Sequence, residues 1–209
     1  MKKIEIPALY KKYHVDRDYE NLSLFEKLVE KYNVKSVLYP GCYVHITPSL
    51  CISRAVYVDL ELPAKKFFAD PYVLAYIESR KSYKETPSVT FYHQSYESPI
   101  NEPEESFDLI ISQYAGFISE PTKKYLKKGG ILVVNNSHGD AGLASLDSDF
   151  KLIAVANNRD GKFVLSDKEL DQYFVPKKKV EITPQYLKEL GRGLGYTKTA
   201  TNYIFEKIV

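Results

Sequence analysis

Two short segments place a glycine and a carboxylate where they could hold a nucleoside. An apolar run over residues 37–41 ends at Gly41, and a β-rich run over residues 55–59 ends at Asp59, eighteen positions later. A glycine after a strand lets the backbone approach a ligand, and an acid at the tip of the next strand accepts hydrogen bonds from ribose hydroxyls. Because Thr47-Pro48 also predicts a helix N-terminus with free N–H groups, the pattern predicts a site for a nucleoside-containing cofactor.

A polar cluster from Asn135 to Asp140 directly follows another apolar run. Within it His138 suits a general base, because an imidazole exchanges protons near neutral pH. We expect His138 or Asp140 to act on a substrate. The alternative is helix capping, since Ser137 or Asp140 can cap a helix over residues 141–146.

Three of the four histidines, His45, His93 and His138, fall at predicted carboxyl ends of strands, the edge at which open α/β sheets bind ligands. The three histidines and Asp140 could in principle form a set of metal ligands. No two of these histidines are separated by the short sequence spacing of a metal motif, and the strands that precede them are not expected to be neighbours. We therefore predict no metal site. The sequence contains neither a Gly-x-Ser-x-Gly nucleophile elbow nor a Gly-x-x-x-x-Gly-Lys-Ser/Thr phosphate loop.

Length and composition favour one α/β domain over residues 1–209. The chain has 44% apolar and 27% charged residues, which is ordinary for a globular protein. A net charge of +2 does not support nucleic-acid binding, and Lys177-Lys178-Lys179 is expected to be a solvated loop. No apolar run has the roughly 18–20 residues needed to cross a bilayer, so we expect no membrane partner.

The location of the protein is predicted from two further features. Met1 to Glu5 lack an apolar segment after their lysines, which argues against a signal peptide. Two cysteines, Cys42 and Cys51, fit a reducing compartment. We therefore expect a cytoplasmic protein.

The predicted elements alternate along the chain. Strands are predicted at residues 36–39, 55–59, 88–92, 107–112, 131–134, 150–156, 162–165 and 199–208. Helices are predicted between them, including one at 120–127 that ends at Gly129-Gly130, and a helical insertion at 166–195. This order predicts a Rossmann-like, doubly wound, mostly parallel sheet of strand order 3-2-1-4-5 with an antiparallel edge pair.

Residues 1–20 form an N-terminal arm ahead of the first predicted helix. We expect the arm to cover an apolar face of the sheet. The alternative is that Tyr10, Tyr13, His14 and Arg17 close over a ligand.

Four segments resemble the landmarks of class I S-adenosylmethionine-dependent methyltransferases in order and spacing. They are Val37-Leu38-Tyr39-Pro40-Gly41-Cys42, Val56-Tyr57-Val58-Asp59, Phe107-Asp108-Leu109-Ile110-Ile111-Ser112 and residues 126–134, Leu-Lys-Lys-Gly-Gly-Ile-Leu-Val-Val. The last two of these four segments are more specific to the family than the first two. The resemblance covers about residues 25–157 and the closing strand, and residues 39–49 and 135–141 also resemble a subgroup of methyltransferase-like proteins.

This resemblance implies the methyltransferase fold and S-adenosylmethionine as the cofactor. Gly41 would lie under the methionine moiety and Asp59 would bind the ribose. Gln94 and Ser95 would lie beside the adenine. The other implied cofactor-binding positions are Pro40, Cys42, Tyr43, Leu60 and Ser112.

The segment from Ser112 to Gly116 follows the fourth strand, where the family places groups that touch the transferred methyl. We therefore expect catalytic roles for Gln113 and Tyr114, with a helix entry turning at Gly116 as the alternative. Family members that methylate amino groups often carry Asn-Pro-Pro-Tyr at this place. Its absence here disfavours base N-methylation.

Two positions depart from the family pattern. Tyr43 stands where the next glycine would be, which requires a shifted loop or a different ligand, and Gln94 stands where an aspartate is usual. Our first hypothesis is an S-adenosylmethionine-dependent methyltransferase acting on an unknown small-molecule or macromolecular substrate. The second is a non-catalytic Rossmann-like protein that binds a nucleoside or serves as an interaction module. A third hypothesis, nicotinamide-dependent redox chemistry, requires more glycines in the turn after the first strand and is the weakest of the three.

Overall fold

The computed structural model describes residues 4–209. The prediction against a signal peptide is based on Met1 to Glu5, of which Met1 to Lys3 lie outside the described residues. Eight strands build one sheet. They are β1 (Ser36–Pro40), β2 (Arg54–Val58), β3 (Ser88–Tyr92), β4 (Phe107–Ser112), β5 (Leu126–Val134), β6 (Phe150–Arg159), β7 (Lys162–Ser166) and β8 (Asn202–Lys207).

The strand order is β3-β2-β1-β4-β5-β8-β6-β7. The first five strands are parallel, which confirms the predicted 3-2-1-4-5 arrangement. The last strand in sequence, β8, lies between β5 and β6 and is antiparallel to both, and β7 pairs antiparallel with β6 at the edge. The antiparallel part of the sheet therefore contains β8 as well as the predicted hairpin pair.

The helices are α1 (Ala8–Tyr10, continuing as a π-helix over Lys11–Val15), α2 (Leu22–Tyr32), α3 (Leu62–Phe68), α4 (Pro71–Arg80), α5 (Ser119–Thr122), α6 (Asp140–Leu146) and α7 (Pro184–Leu190). Successive strand residues alternate between the two faces of the sheet. Val37 and Leu109 pack on the α2 face, whereas Leu38 and Ile110 pack on the α6 face. All four are buried, as expected for parallel strands covered on both sides.

Two predicted helices are wrong in extent. The helix predicted at 120–127 ends early, as α5 and a 3₁₀ turn (Lys123–Tyr125), and β5 begins at Leu126. Gly129 has a positive φ of 75° inside β5, so the glycine pair lies within the strand, where its register with β4 shifts, and does not end a helix. The helix predicted from Thr47 is a four-residue 3₁₀ turn, Thr47–Leu50, buried throughout.

The insertion at 166–195 has little helix. Within it the structure forms α7 and one 3₁₀ turn, Leu170–Gln172. The predicted start near Ser166 fails because β7 runs to that residue and Glu169 adopts a left-handed conformation with φ 53°. Asp70 and Thr183 cap α4 and α7 by accepting from Tyr72 N and Tyr186 N.

The N-terminal arm packs against the segment that follows β1. Tyr10 is fully buried in a cluster with Val44, Ile46 and Tyr76. Its hydroxyl donates to Glu20 Oε1 at 2.7 Å and lies 2.7 Å from Thr47 Oγ1. The arm therefore lies at the carboxyl edge of the sheet, beside the predicted cofactor loop. Within residues 4–209 no helix has the length and apolar character required to cross a membrane.

Candidate nucleoside site at the carboxyl edge

The turn after β1 depends on a glycine. Gly41 has a φ of +62°, and its N–H donates to Val58 O at 2.8 Å, which ties the turn to the tip of β2. A Cβ atom at this position would lie 2.0 Å from Ala115 Cβ. Ala115 therefore rests directly on the glycine, and a side chain at position 41 would collide with it.

Residues 113–118, which follow β4, are folded over this turn. Tyr114 and Gly116, on either side of Ala115, have positive φ angles of 59° and 98°. Tyr96 OH donates to Ala115 O at 2.7 Å and holds the segment in place. The side chain of Ala115 thereby fills the space above Gly41.

Asp59, the predicted ribose acid, is directed at the chain itself. Its Oδ2 accepts from Tyr43 N at 2.7 Å, and its Oδ1 accepts from Glu61 N at 2.8 Å. The carboxylate is 8% exposed. Asp59 thus fixes the loop after β1 to the segment after β2, and Leu60 beside it is exposed.

Behind the turn, Tyr39 of β1 and His45 of the following loop bond to each other. His45 Nε2 donates to Glu20 O at 3.0 Å, because a carbonyl can only accept, and Nδ1 then accepts from Tyr39 OH at 3.1 Å. This pattern requires a neutral imidazole. Burial, with His14 as a second cause, lowers the pKa of His45 to about 3.

The arm adds a second histidine to this group. The His14 ring stacks on His45 with centroids 4.2 Å apart and an interplanar angle of 11°. Burial lowers the pKa of His14 to about 4, and neither ring nitrogen has a hydrogen-bond partner among residues 4–209. Tyr43, with φ +47°, presents its ring edge-on to Tyr13 at 5.1 Å. Arm and loop therefore form one packed unit.

Ser112 and Asp140 are joined in a buried network. Asp140 accepts from the Ser112 hydroxyl, from Ile118 N at 3.2 Å and from Ser119 N at 3.1 Å. The Ser119 hydroxyl also donates to it at 2.5 Å. Burial raises the pKa of Asp140 despite these donors. Asp140 therefore caps α5 across the sheet edge and does not cap α6, whose N-cap is Gly139.

The other predicted catalytic residues have contrasting surroundings. Gln113 is 2% exposed and donates to Asn202 Oδ1 at 2.6 Å, whereas Tyr114 is 57% exposed and meets Tyr19 edge-on at 5.5 Å. His138 is half-buried, and its ring has no hydrogen-bond partner within residues 4–209. Gln113 and Tyr114 thus point into different environments.

The segment after β5 bonds to the glycine-rich stretch after α7. Asn136 Nδ2 donates to Leu194 O at 3.0 Å, and Gly193 N donates to Ser137 O at 3.2 Å. The side-chain atoms Gln113 Oε1 and Asn135 Nδ2 are buried and lack partners among the described residues. These two orphan atoms mark the polar part of the edge between β4 and β5.

The remaining predicted cofactor contacts are engaged locally. Gln94 Nε2 donates to Pro99 O at 3.0 Å, and Ser95 Oγ accepts from Glu97 N at 3.2 Å, both within one loop. Pro40 and Cys42 are buried, and burial raises the pKa of the Cys42 thiol well above its usual range. Among residues 4–209 no three His, Cys, Asp or Glu side chains are grouped to hold a metal ion.

The topology decides the fold type. A left-handed glycine follows β1, an acid follows β2, and antiparallel β8 is inserted beside a 3-2-1-4-5 sheet. The chain has a class I methyltransferase-like fold. In this structure Ala115 packs on Gly41 and each oxygen of Asp59 accepts one backbone N–H group, which leaves less room and fewer free acceptor lone pairs at these two positions for the cofactor of that fold.

The similarity of this chain to known proteins is low. No protein-family profile and no curated protein matches the sequence. The YcgJ protein of Bacillus subtilis is 20% identical, with a TM-score of 0.43 over 61% of this chain and 55% of its own. This chain thus spans about half of that protein. A methyltransferase of Geobacter sulfurreducens is 14% identical, with a TM-score of 0.49 over 74% of this chain and 86% of its own. These identities transfer no activity.

Sequence reasoning missed the residues that close the site. Ala115 and Tyr96 are small or ordinary residues whose role arises only from tertiary contact. The signal that pointed toward them was Tyr43, since a tyrosine in place of a glycine already required a rebuilt loop. The histidine pair was also divided between the arm and the loop, which are far apart in sequence.

Proposed function

We propose that this chain is a non-catalytic interaction protein that keeps the methyltransferase fold but neither binds the adenosyl cofactor nor transfers methyl groups. The observation that carries the proposal is the contact between Ala115 and Gly41, where an added Cβ would lie 2.0 Å from the alanine side chain. An adenosyl cofactor in this fold approaches the backbone at the glycine. Here the protein's own side chain occupies that approach.

Two further contacts support the proposal. Asp59 would have to accept ribose hydroxyls, yet its two oxygens accept from Tyr43 N and Glu61 N and it is nearly buried. The loop amide of Tyr43 is likewise committed to Asp59. Groups that would bind a cofactor therefore bind each other.

The predicted catalytic acid has a structural environment as well. Asp140 accepts four hydrogen bonds from Ser112, Ile118 and Ser119 and is 1% exposed. A general base needs a free lone pair directed at substrate. Asp140 instead stabilises the junction of β4, α5 and α6.

A second candidate is a methyltransferase that opens to admit S-adenosylmethionine. The hydrogen bond from Tyr96 OH to Ala115 O is one of those that hold the covering segment, residues 113–118, and the buried atoms Gln113 Oε1 and Asn135 Nδ2 lack partners among the described residues. Displacing residues 113–118 would expose these atoms to a substrate. Buried orphan groups of this kind favour a site that is completed by a ligand.

One titration separates the two candidates. Calorimetry with S-adenosylmethionine, S-adenosylhomocysteine and NAD is performed on the native protein, on Tyr96→Phe and on Tyr72→Phe. Tyr72 is the matched control, because its hydroxyl also donates to a backbone carbonyl, Glu5 O at 3.0 Å, away from the site. We expect no binding by any of the three proteins up to about 1 mM ligand.

Two other results would contradict the interaction-protein proposal. Micromolar binding of S-adenosylmethionine by the native protein, about −8 kcal/mol, would favour the methyltransferase. Binding that appears in Tyr96→Phe but not in Tyr72→Phe would show that the covering segment is a gate.

A further inference from the structure

A cationic cleft lies beyond the carboxyl-edge site, between α7 and the chain on either side of it. Its volume is about 640 Å³. It is lined by Lys177, Lys178, Lys179, Val180, Tyr186, Leu190, Arg192, Gly193, Leu194 and Gly195. We refer to it as the lysine cleft.

The two sides of the lysine cleft are joined by backbone pairing. Pro176 and Tyr196 form an antiparallel bridge, and Lys177 N donates to Gly195 O at 3.0 Å. The side chain of Lys177 runs along the glycine segment, its Cδ lying 3.9 Å from the position of a Cβ on Gly195. Gly191, with φ +61°, ends α7 and returns the chain toward Lys177.

The cleft is anchored to the body of the protein. Leu187 and Tyr196 are buried, and both approach Gly142 of α6 so closely that a Cβ there would lie 2.6 Å from Tyr196 Oη. On its other side, Leu194 O accepts from Asn136 Nδ2 in the segment after β5. The wall of the cleft is therefore held in place from two directions.

The charge of the lining is entirely positive. Lys177, Lys178, Lys179 and Arg192 contribute four cations, and no carboxylate of the described residues 4–209 lines the cleft. Within the described residues these four form no ion pair, whereas the nearby Lys188 is bonded to a glutamate at 2.5 Å. Since the whole chain has a net charge of only +2, the rest of the surface is acidic on balance. The positive charge is thus concentrated at the cleft.

We propose that the lysine cleft binds a small phosphorylated molecule. A phosphate monoester carries about −1.5 to −2 charges at neutral pH, which matches a group of unpaired cations better than a single carboxylate does. Arg192 offers a planar fork for two phosphate oxygens. Tyr186 and Leu190 supply an apolar wall for the organic part, and the volume lies within the range of small-molecule sites.

Nucleic acid is the less suitable occupant. A nucleic-acid surface needs cations spread over several phosphates, and the basic residues here converge on one cleft in a chain of low net charge. The inference is independent of the proposed function, because none of its residues contacts Gly41 or Asp59.

Calorimetric titration with phenyl phosphate, and with phenol as its uncharged counterpart, tests the inference. We expect phenyl phosphate to bind with a dissociation constant below about 1 mM, weakening as salt is added, and phenol to show no binding. The double variant Lys177→Gln/Arg192→Gln should weaken binding at least about tenfold. The control Lys151→Gln/Lys162→Gln removes two exposed lysines of β6 and β7 and should change binding less than about twofold.

Three results would overturn the inference. They are the absence of phenyl phosphate binding at about 10 mM, an equal loss of binding in both double variants, and equal binding of phenol. A single-stranded oligonucleotide that binds more tightly than phenyl phosphate, and loses its binding in Lys177→Gln/Arg192→Gln, would assign the cleft to nucleic acid. Circular dichroism confirms in each experiment that the variants are folded.

Discussion

Gly41 has no side chain, and this allows Ala115 to pack directly against the turn after β1. Glycine permits the left-handed turn after β1, and the same missing Cβ leaves room for Ala115. The contact between the two residues thus closes the turn from within the chain.

Gly41→Ala should destabilise the protein by at least about 2 kcal/mol, because a Cβ both strains the positive φ and overlaps Ala115. The added substitution Ala115→Gly should recover the steric part, giving a coupling energy of about 1–2 kcal/mol in a double-mutant cycle. Urea unfolding measures all four proteins. Simple additivity of the two effects would mean that the contact is absent in solution.

Asp59→Ala should lower the free energy of unfolding by about 1–3 kcal/mol, because Tyr43 N and Glu61 N lose their acceptor in a nearly buried place. Asp70→Ala is the control. It removes an exposed aspartate that accepts from Tyr72 N, and should have an effect of about 1 kcal/mol or less. Unchanged stability of Asp59→Ala, measured by thermal and urea unfolding, would return Asp59 to the predicted ribose role.

Sequence patterns located the site residues but not their partners. Asp59 was predicted at the tip of β2 and lies there, because a β-rich run ending in an acid is a local signal. That its oxygens accept from Tyr43 and Glu61 depends on how two loops meet in space. The assignments of cofactor contacts therefore stay predictions.

At the scale of the elements, the N-terminal arm contributes one member of a buried histidine pair. Its histidine, His14, stacks on His45 with both rings buried and neutral. Arg17 further disfavours a charge on His14, while Glu20 accepts from His45 only through its backbone oxygen. Protonation of either ring would place an unpaired cation between packed aromatic groups.

The arm should loosen as the pH falls below about 6.5. In the released or unfolded state the two rings take up protons near their ordinary pKa, whereas in the packed state their pKa values are about 4 and about 3. Stability is therefore complete above the unfolded pKa and is lost as the pH falls toward the folded values. At pH 5 the loss should reach up to roughly 2 kcal/mol per ring.

Hydrogen exchange of residues 4–20 at pH 7 and pH 5, corrected for intrinsic rates, measures this loosening. His14→Phe keeps the stacked ring and should reduce the pH dependence of the arm, whereas the control His93→Phe alters an exposed histidine and should not. Equal pH dependence in all three proteins would assign the effect to carboxylates elsewhere.

Strands were predicted more reliably than helices for a physical reason. β4 and β3 begin and end as predicted, because a short β-rich or continuously apolar run between loops is a local signal. The helix expected at Ser166 is absent because β7 extends to that residue through pairing with β6. Tertiary pairing overrode a local start signal there.

At the scale of the whole molecule, β8 joins the parallel strands to the edge hairpin. Ile204 at its centre is fully buried, opposite Val133 of β5 and Ala154 of β6. The alternation of elements predicted the 3-2-1-4-5 core, but not the position of β8. The partners of a strand depend on contacts that are distant in sequence, which a local pattern does not contain.

Ile204→Ala should destabilise the whole sheet by about 2–5 kcal/mol, because it opens a cavity where three strands meet. Unfolding in urea should remain a single transition by circular dichroism and by exchange of β3 and β7 amides. Val164→Ala on exposed β7 is the control, with an expected effect of about 0.5 kcal/mol or less. Separate transitions for the two halves would show that β8 does not couple them.

The place of β8 also has a consequence for how the protein is made. During synthesis the edges of β5 and β6 that it pairs with stay open until β8 itself has left the ribosome. Open strand edges are templates for pairing with other chains. The nascent chain therefore passes through a long interval in which aggregation competes with folding, and slower translation lengthens that interval without shortening the final step.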